Sequence, residues 1–175
     1  MTLFKFLARG GKGPLTGFVW APNVWIQTSG PLAPCGNGAH LLRPHHLAHW
    51  LHEELWRAEL DGEWLEGPDC VLARRARITE RIDGWSGRDG ERFAEACHER
   101  LGAQLAVTTE PAAREHLANY QWAVNWHIER KNRAMAGYVS ALGLAQLAKD
   151  EPQIEAYRRE RAWQSDWLVR ELRLL

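Results

Sequence analysis

Five of the chain's eight histidines, His40, His45, His46, His49 and His52, fall within thirteen residues. Imidazole is the side chain whose ordinary pKa lies nearest neutrality, so such a cluster suits proton transfer, hydrogen bonding to a substrate, or metal ligation. His40 stands apart because it lies between the Gly36-Asn37-Gly38 turn and the apolar pair Leu41-Leu42, where a side chain is held rather than solvated. It is the first choice for a general acid/base or hydrogen-bond donor; the alternative is a turn histidine satisfied by backbone groups. His45 and His49 have the i, i+4 spacing by which one helix face offers two imidazoles to a metal ion, with His52 a turn further and Cys35, His40 or Glu53 as a third ligand. Nothing resembles HExxH or a facial triad, so a solvated helix face is the plainer expectation and no metal is assigned.

The carboxylates of Glu66 and Asp69 are the candidates to stabilise positive charge developing beside His40, and Trp25 and Trp64 are the candidates to stack on a flat ring. Lys5, Arg43, Arg75 and Arg77 complete the expected ligand-binding set. Arg75, Arg77 and Arg81 share one face of an alternating run and suit a planar anion, although neighbouring acids such as Glu66, Asp69, Glu80 and Asp83 make internal ion pairing the expected fate. The glycine-rich GGKGPLTG matches neither a Walker loop nor a Rossmann turn. Cys35, just before the glycine turn, is a nucleophile candidate with no orienting partner in reach of sequence reasoning.

Composition narrows the classes. Acidic and basic residues balance and the pI is about 7.1, so no global field draws the chain to nucleic acid or an anionic membrane. Three cysteines without CxxC spacing read as reduced thiols, and no stretch approaches the roughly 18 uncharged apolar residues of a membrane span, which points to the cytoplasm. Ten tryptophans either fill the core or line a ligand site.

The elements that must position these residues follow from periodicity. Residues 3–8 alternate as a strand, a glycine loop follows, and 17–28 read as two extended pieces around Ala21-Pro22-Asn23. His40-Leu41-Leu42 is a short strand, and Pro44 opens a helix to about 54 with His45, His49 and His52 outward. Residues 54–61 and 70–82 alternate as two more strands, each ending at an Asp-Gly pair. Four helices follow, at about 89–106 behind Asp89, about 109–131, about 133–149, and from Asp150-Glu151-Pro152-Gln153 to the end. The expected fold is α+β, a small N-terminal antiparallel or mixed sheet with one short helix against a C-terminal block of about four helices. It forms one domain, 1–175, with the candidate site in a strand-rich half, 1–85, and a helical half from 86 to 175.

The stretch CGNGAHLLRPHHLAHWLHEELWRAELDG resembles a pattern in uncharacterised actinobacterial and phage proteins, which implies an element order and no activity. The layout of strand, turn, short helix and strand leading to an acidic residue is also similar to small rifamycin-modifying ADP-ribosyltransferases. That resemblance implies NAD as cofactor, His40 in the position of their aromatic residue and Glu63, Glu66 or Asp69 as the acid. It departs from them in lacking a His-Gly pair on the first strand, where this chain has KFLARGG. The expected function is therefore a nucleotide- or aromatic-ligand-handling protein, ADP-ribosyltransferase-like, with His40 at its centre. The alternatives are an accessory protein offering tryptophan-bearing C-terminal helices to a protein partner, and a histidine-cluster metal protein.

Overall fold

The computed structural model describes residues 1–34, 36–148 and 151–175. Its strands are β1 (Leu3–Leu7), β2 (Ile26–Gln27), β3 (Ala39–Leu41), β4 (Glu54–Glu66) and β5 (Val71–Arg81), with a 3-10 helix, Pro44–Trp50, between β3 and β4. A single helical turn, α1 (Asp83–Ser86), leads into α2 (Arg88–Val107), α3 (Pro111–Glu129), α4 (Arg133–Ala145) and α5 (Gln153–Glu171). This is the expected α+β order, an antiparallel sheet followed by a helical block.

All pairings are antiparallel, in the order β1-β4-β5-β2, with β3 also on β5. Beyond β3 the chain returns to β1 through two backbone bonds, Phe4 N to Leu42 O at 2.9 Å and Leu42 N to Phe4 O at 2.8 Å. The pairings β1-β4-β5-β3-β1 therefore form a ring, so the small sheet is strongly coiled. Gly62 is what lets β4 run past Asp61: its left-handed φ of 73° accommodates a bulge between Asp61 and Trp64. A non-glycine side chain resists that conformation. The hairpin thus reverses at Gly67, whose N–H donates to Cys70 O at 2.8 Å, and not at the Asp61-Gly62 pair where the sequence reading ends the strand.

Other expected boundaries shift for local reasons. In 17–28 only Ile26–Gln27 pairs as strand, because Gly17 and Asn23 take positive φ of 67° and 64° and break the extension. Asp89 lies in the first turn of α2 and Gly87 is its N-cap; α3 starts at Pro111 after Glu110. Asn132 caps α4, its side chain accepting from Met135 N at 3.2 Å, and α4 ends at Ala145 rather than 149. Asp150 and Cys35 lie outside the described residues.

One apolar cluster binds the two halves. Phe4 and Phe6 of the sheet, Leu47 and Leu51 near the 3-10 helix, Trp85, Phe93 of α2 and Trp167 and Leu168 of α5 pack together. Their rings stack edge to face, with centroids 5.4 Å apart for Phe6–Trp85 and 5.5 Å for Trp85–Phe93 and Phe93–Trp167. A second cluster, Leu3, Leu7, Trp20, Ala39, Leu41, Val71 and Ile78, fills the other side of the sheet under the glycine-rich loop. That loop is latched by Glu54, whose buried carboxylate accepts from Gly10 N at 2.9 Å, Gly11 N at 3.2 Å and Trp56 Nε1 at 3.1 Å. Among the described residues no helix is long and apolar enough to cross a membrane.

Candidate functional site

The histidine segment is a 3-10 helix rather than an α-helix, and this changes which imidazoles face where. Near 120° per residue, His46 and His49 share an edge while His45 turns away. His46 and Leu47 are buried, His45 is exposed, and His52 lies beyond the helix end. Tertiary bonds hold this tighter winding: Ala48 N donates to Ser165 Oγ at 3.0 Å and Tyr138 Oη donates to His49 O at 2.8 Å. The i, i+4 pairing of His45 and His49, with His52 a turn on, is therefore not formed as a chelating face, and no group of three or more His, Cys, Asp or Glu among the described residues could hold a metal ion.

What forms instead is a histidine corner, where the 3-10 helix meets β3 and the β4–β5 turn. His40 on β3 points to the helix side of the sheet, its ring 6.0 Å from that of Trp50 and its Nδ1 3.2 Å from Gly38 O. Trp50 Nε1 donates to Asp69 O at 2.9 Å, which fixes the turn against the helix. Arg43 grips Glu66 through Nε at 2.7 Å and Nη2 at 2.6 Å, and its guanidinium lies 5.9 Å from the Trp64 ring. His45 and His46 stack edge to face at 4.1 Å. Of the residues singled out from the sequence, the fold thus brings Arg43, Trp64 and Glu66 together, with Glu66 and Asp69 near His46. Cross-strand register sets Trp64 opposite Ala73 and Ala39, on the other face of the sheet from the His40 ring.

The electrostatics disfavour the charged forms of His40, His46 and His49. Burial, then neighbouring His45 and His49, hold the His46 imidazole below its ordinary value against the opposing pull of Asp69 and Glu66. Burial depresses His49 too, and there Asp69 is opposed by Arg161 and Arg158 of α5. His40 is lowered by burial and by the Lys5 ammonium, against the Gly38 carbonyl. Glu66 is held below the carboxylate range by its hydrogen bond from Arg43. His46 Nδ1 is buried without a hydrogen-bond partner, an acceptor or donor that a ligand could use.

A pH effect follows. A histidine depressed in the fold binds fewer protons there than in the unfolded chain, so stability rises with pH through the unfolded value and is lost as pH falls below about 6.5. His40, His46, His49 and His127 all shift in this direction. Urea midpoints measured between about pH 7.5 and about pH 5.5 should fall with acidification, and His46→Gln should flatten that slope.

The remaining candidates lie elsewhere. Lys5 is on the opposite side of the sheet from the His40 ring, since Ala39 and Leu41 flank His40 in the Trp20 cluster that Lys5 faces. Its Nζ donates to His40 O at 2.8 Å and sits 4.6 Å from the Trp20 centroid. The glycine-rich loop covers that same side, so the expected pocket joining loop, His40 and residues 63–69 is not assembled. Arg75 and Arg77 pair across the hairpin with Asp61 and Glu59, both at 2.5 Å, and clasp Trp25 with 4.6 Å from each to its ring. Cross-strand register places these charges directly opposite, which is the internal pairing anticipated for that face. Glu63 is likewise taken by Arg74 at 2.5 Å.

The tryptophans divide. Trp167 is core and Trp163 lies under Arg100, 4.5 Å from its ring centroid, whereas Trp122, 69% exposed, and Trp126 stand one helical turn apart on the outside of α3. Two clefts open away from the corner, one of about 140 Å³ by Glu91, Glu95, Glu129 and Arg133, the other of about 550 Å³ by Asp89, Arg92, Arg170 and Arg173. Neither is lined by a residue that the sequence offers as a candidate for catalysis or ligand binding. Sequence reasoning missed Trp50 as the hub of the corner, Glu54 as the loop latch and Arg161 as a buried cation. The signal for the last was its register, since residues 161, 164, 165 and 168 trace the buried stripe of α5.

Compared with known protein families, curated proteins and solved structures, the chain has no significant match.

Proposed function

We propose that the histidine corner binds a small flat molecule carrying hydrogen-bonding groups. The observation that supports this most is His46, a buried imidazole with an unpartnered Nδ1 and two carboxylates, Glu66 and Asp69, in its surroundings. Trp64, 40% exposed at the hairpin end, offers a ring face, and Arg43 with Glu66 offers a rigid pair of donors and acceptors next to it. An imidazole kept neutral near pH 7 can both accept and donate, so His40 or His46 suits hydrogen bonding to an amide or amine on the ligand, or general acid/base work on it. The layout similarity to ADP-ribosyltransferases makes nicotinamide and adenine the first rings to try, with NAD as the whole molecule.

The test is a thermal-shift series with nicotinamide, adenosine and NAD on the full chain, because a ligand of the folded state raises the melting temperature. A rise with at least one of the three is expected, lost in Trp64→Ala, whose exposed position spares the core. No rise with any of them, or an undiminished rise in Trp64→Ala, overturns the reading.

A second reading rests on α3. This helix packs chiefly on α2 and α4, buries only Leu117 and Val124, and presents Trp122 and Trp126 outward, which suits an accessory protein that docks a partner there.

A further inference from the structure

Arg161 of α5 is fully buried, at 0% exposure, and has no carboxylate within ion-pair distance among the described residues. A buried guanidinium without a counter-charge is costly, because its hydration is gone and nothing of opposite sign replaces it. The adjacent acid does not serve: Glu160 turns to Arg100, accepting from Nε at 2.6 Å and Nη2 at 3.0 Å. Arg161 Nη1 donates to Gln164 Oε1 at 2.6 Å, and the Tyr138 hydroxyl also accepts from the guanidinium. Gln164 is itself held by donating to Gly137 O at 2.9 Å. Tyr138 covers a face of the guanidinium at 4.0 Å and Tyr157 lies 5.8 Å away, a cation–π environment that offsets part of the cost without cancelling the charge.

Nε and Nη2 remain, both buried and without a hydrogen-bond partner. These two nitrogens are neighbours on one edge of the guanidinium, and their N–H bonds run side by side. That edge is one of the two that take a carboxylate or phosphate oxygen pair in a fork. Arg158, one turn before Arg161 and paired with Glu155 at 2.9 Å, also presses on His49. The 3-10 helix, a winding with poorer hydrogen-bond geometry than an α-helix, packs against α5, and its His49 feels the Arg161 charge. Its link to α5 includes the single Ala48 N to Ser165 Oγ bond.

We propose that the open Nε/Nη2 edge of Arg161 is a receptor for an oxyanion, the carboxylate or phosphoryl group of a small molecule, admitted between the 3-10 helix and α5. The site adjoins the histidine corner only through His49 and does not depend on that corner binding anything. Occupancy supplies a counter-charge that none of the described residues provides, so the anion stabilises the fold as well as binding to it.

The probes are sodium acetate and sodium phosphate against sodium chloride at matched ionic strength, read on the full chain by the Nε–Hε resonances of arginine in 15N NMR. The resonance that disappears in Arg161→Lys is expected to shift and saturate with acetate or phosphate and to stay still in chloride. Acetate alone acting marks a carboxylate site, and phosphate acting marks a phosphoryl site. Phosphate stabilises proteins generally, so melting temperatures are compared with Arg161→Met, where any saturable part of the rise should vanish. Replacing an uncompensated buried charge with an apolar side chain is expected to leave that variant folded, and Arg161→Lys, which keeps a charge but no fork, stands in if it is not. Neither oxyanion moving the Arg161 resonance beyond chloride overturns the proposal, as does a saturable rise that survives in both variants. Trp64→Ala should keep the oxyanion response and Arg161→Met should keep any response to adenosine, so failure of this site and failure of the corner are read separately.

Discussion

Glu54→Ala is expected to lower stability by about 3 kcal/mol, which for a domain of this size is a fall in melting temperature of roughly 6–12 °C. Burial by itself would raise the Glu54 carboxyl, but the amides of Gly10 and Gly11, the Trp56 indole and the Arg81 guanidinium together hold it below its ordinary value. Its hydrogen bonds are therefore charge-assisted, and truncation leaves the Gly11 N–H and Trp56 Nε1–H without their acceptor in a buried setting. The consequence reaches beyond energy, because the loop latched by Glu54 carries Trp20 onto the sheet. Loosening it should let trypsin cleave after Lys12, an exposed residue whose backbone the intact loop holds against Ala8, and Glu54→Gln, which keeps an acceptor, should show a smaller loss. The sign with pH is that of a depressed acid: the stabilisation is present above about pH 4.5 and disappears as pH falls through the lower folded value. A Glu54→Ala variant as stable as the parent in urea and equally resistant to trypsin would remove the latch from the account.

Lys5→Met is expected to act in the opposite direction, raising stability at pH 7 by about 2 kcal/mol. Burial lowers the Lys5 ammonium to about 8, with only the nearby Cys70 opposing it. Relative to an ordinary lysine near 10.5 this corresponds to roughly 3 kcal/mol against the charged form, from which the lost bond to His40 O subtracts about 1 kcal/mol. The penalty is complete below about pH 8 and fades as pH rises from there towards 10.5, where the unfolded chain also gives up its proton. The gain from Lys5→Met in urea denaturation should thus shrink between pH 7 and about pH 10. A gain that is constant with pH, or a loss at pH 7, would mean that the Lys5 charge is well compensated in the fold.

These two residues illustrate what sequence reading reaches. The alternation of Leu3, Lys5 and Leu7 with Phe4 and Phe6 is plain in the chain, and so is the strand. Which side each set meets is decided by the Phe4–Leu42 bridge that closes the sheet, a pairing between segments almost forty residues apart with no local signature. That closure sets Lys5 against Trp20, a neighbour that the strand's own alternation does not reveal. The helical half was easier, because Phe93, Cys97 and Leu101 repeat at helical spacing and are all buried where expected. β3 pairs with the start of β5, so His40 lies on the strand next to the turn that carries Asp69, a proximity set by register and not by local sequence. The histidine helix was misread in kind: periodicity separates helix from strand, but the choice of 3-10 over α rests on Tyr138 and Ser165, contributed by α4 and α5. The arginines of β5 were legible as a face, and only the cross-strand register settled that Asp61 and Glu59 take them.

The histidine corner is the centre of this account, and the most direct measurement of it is NMR of the imidazole rings in the full chain during titration with nicotinamide and with adenosine. The account predicts saturable shifts at His40, His46 and His49 with one of the two rings, while His98 and His116 on the helical block stay still. Titrations that leave the three corner histidines unmoved, or that move all of the histidines alike, would contradict it.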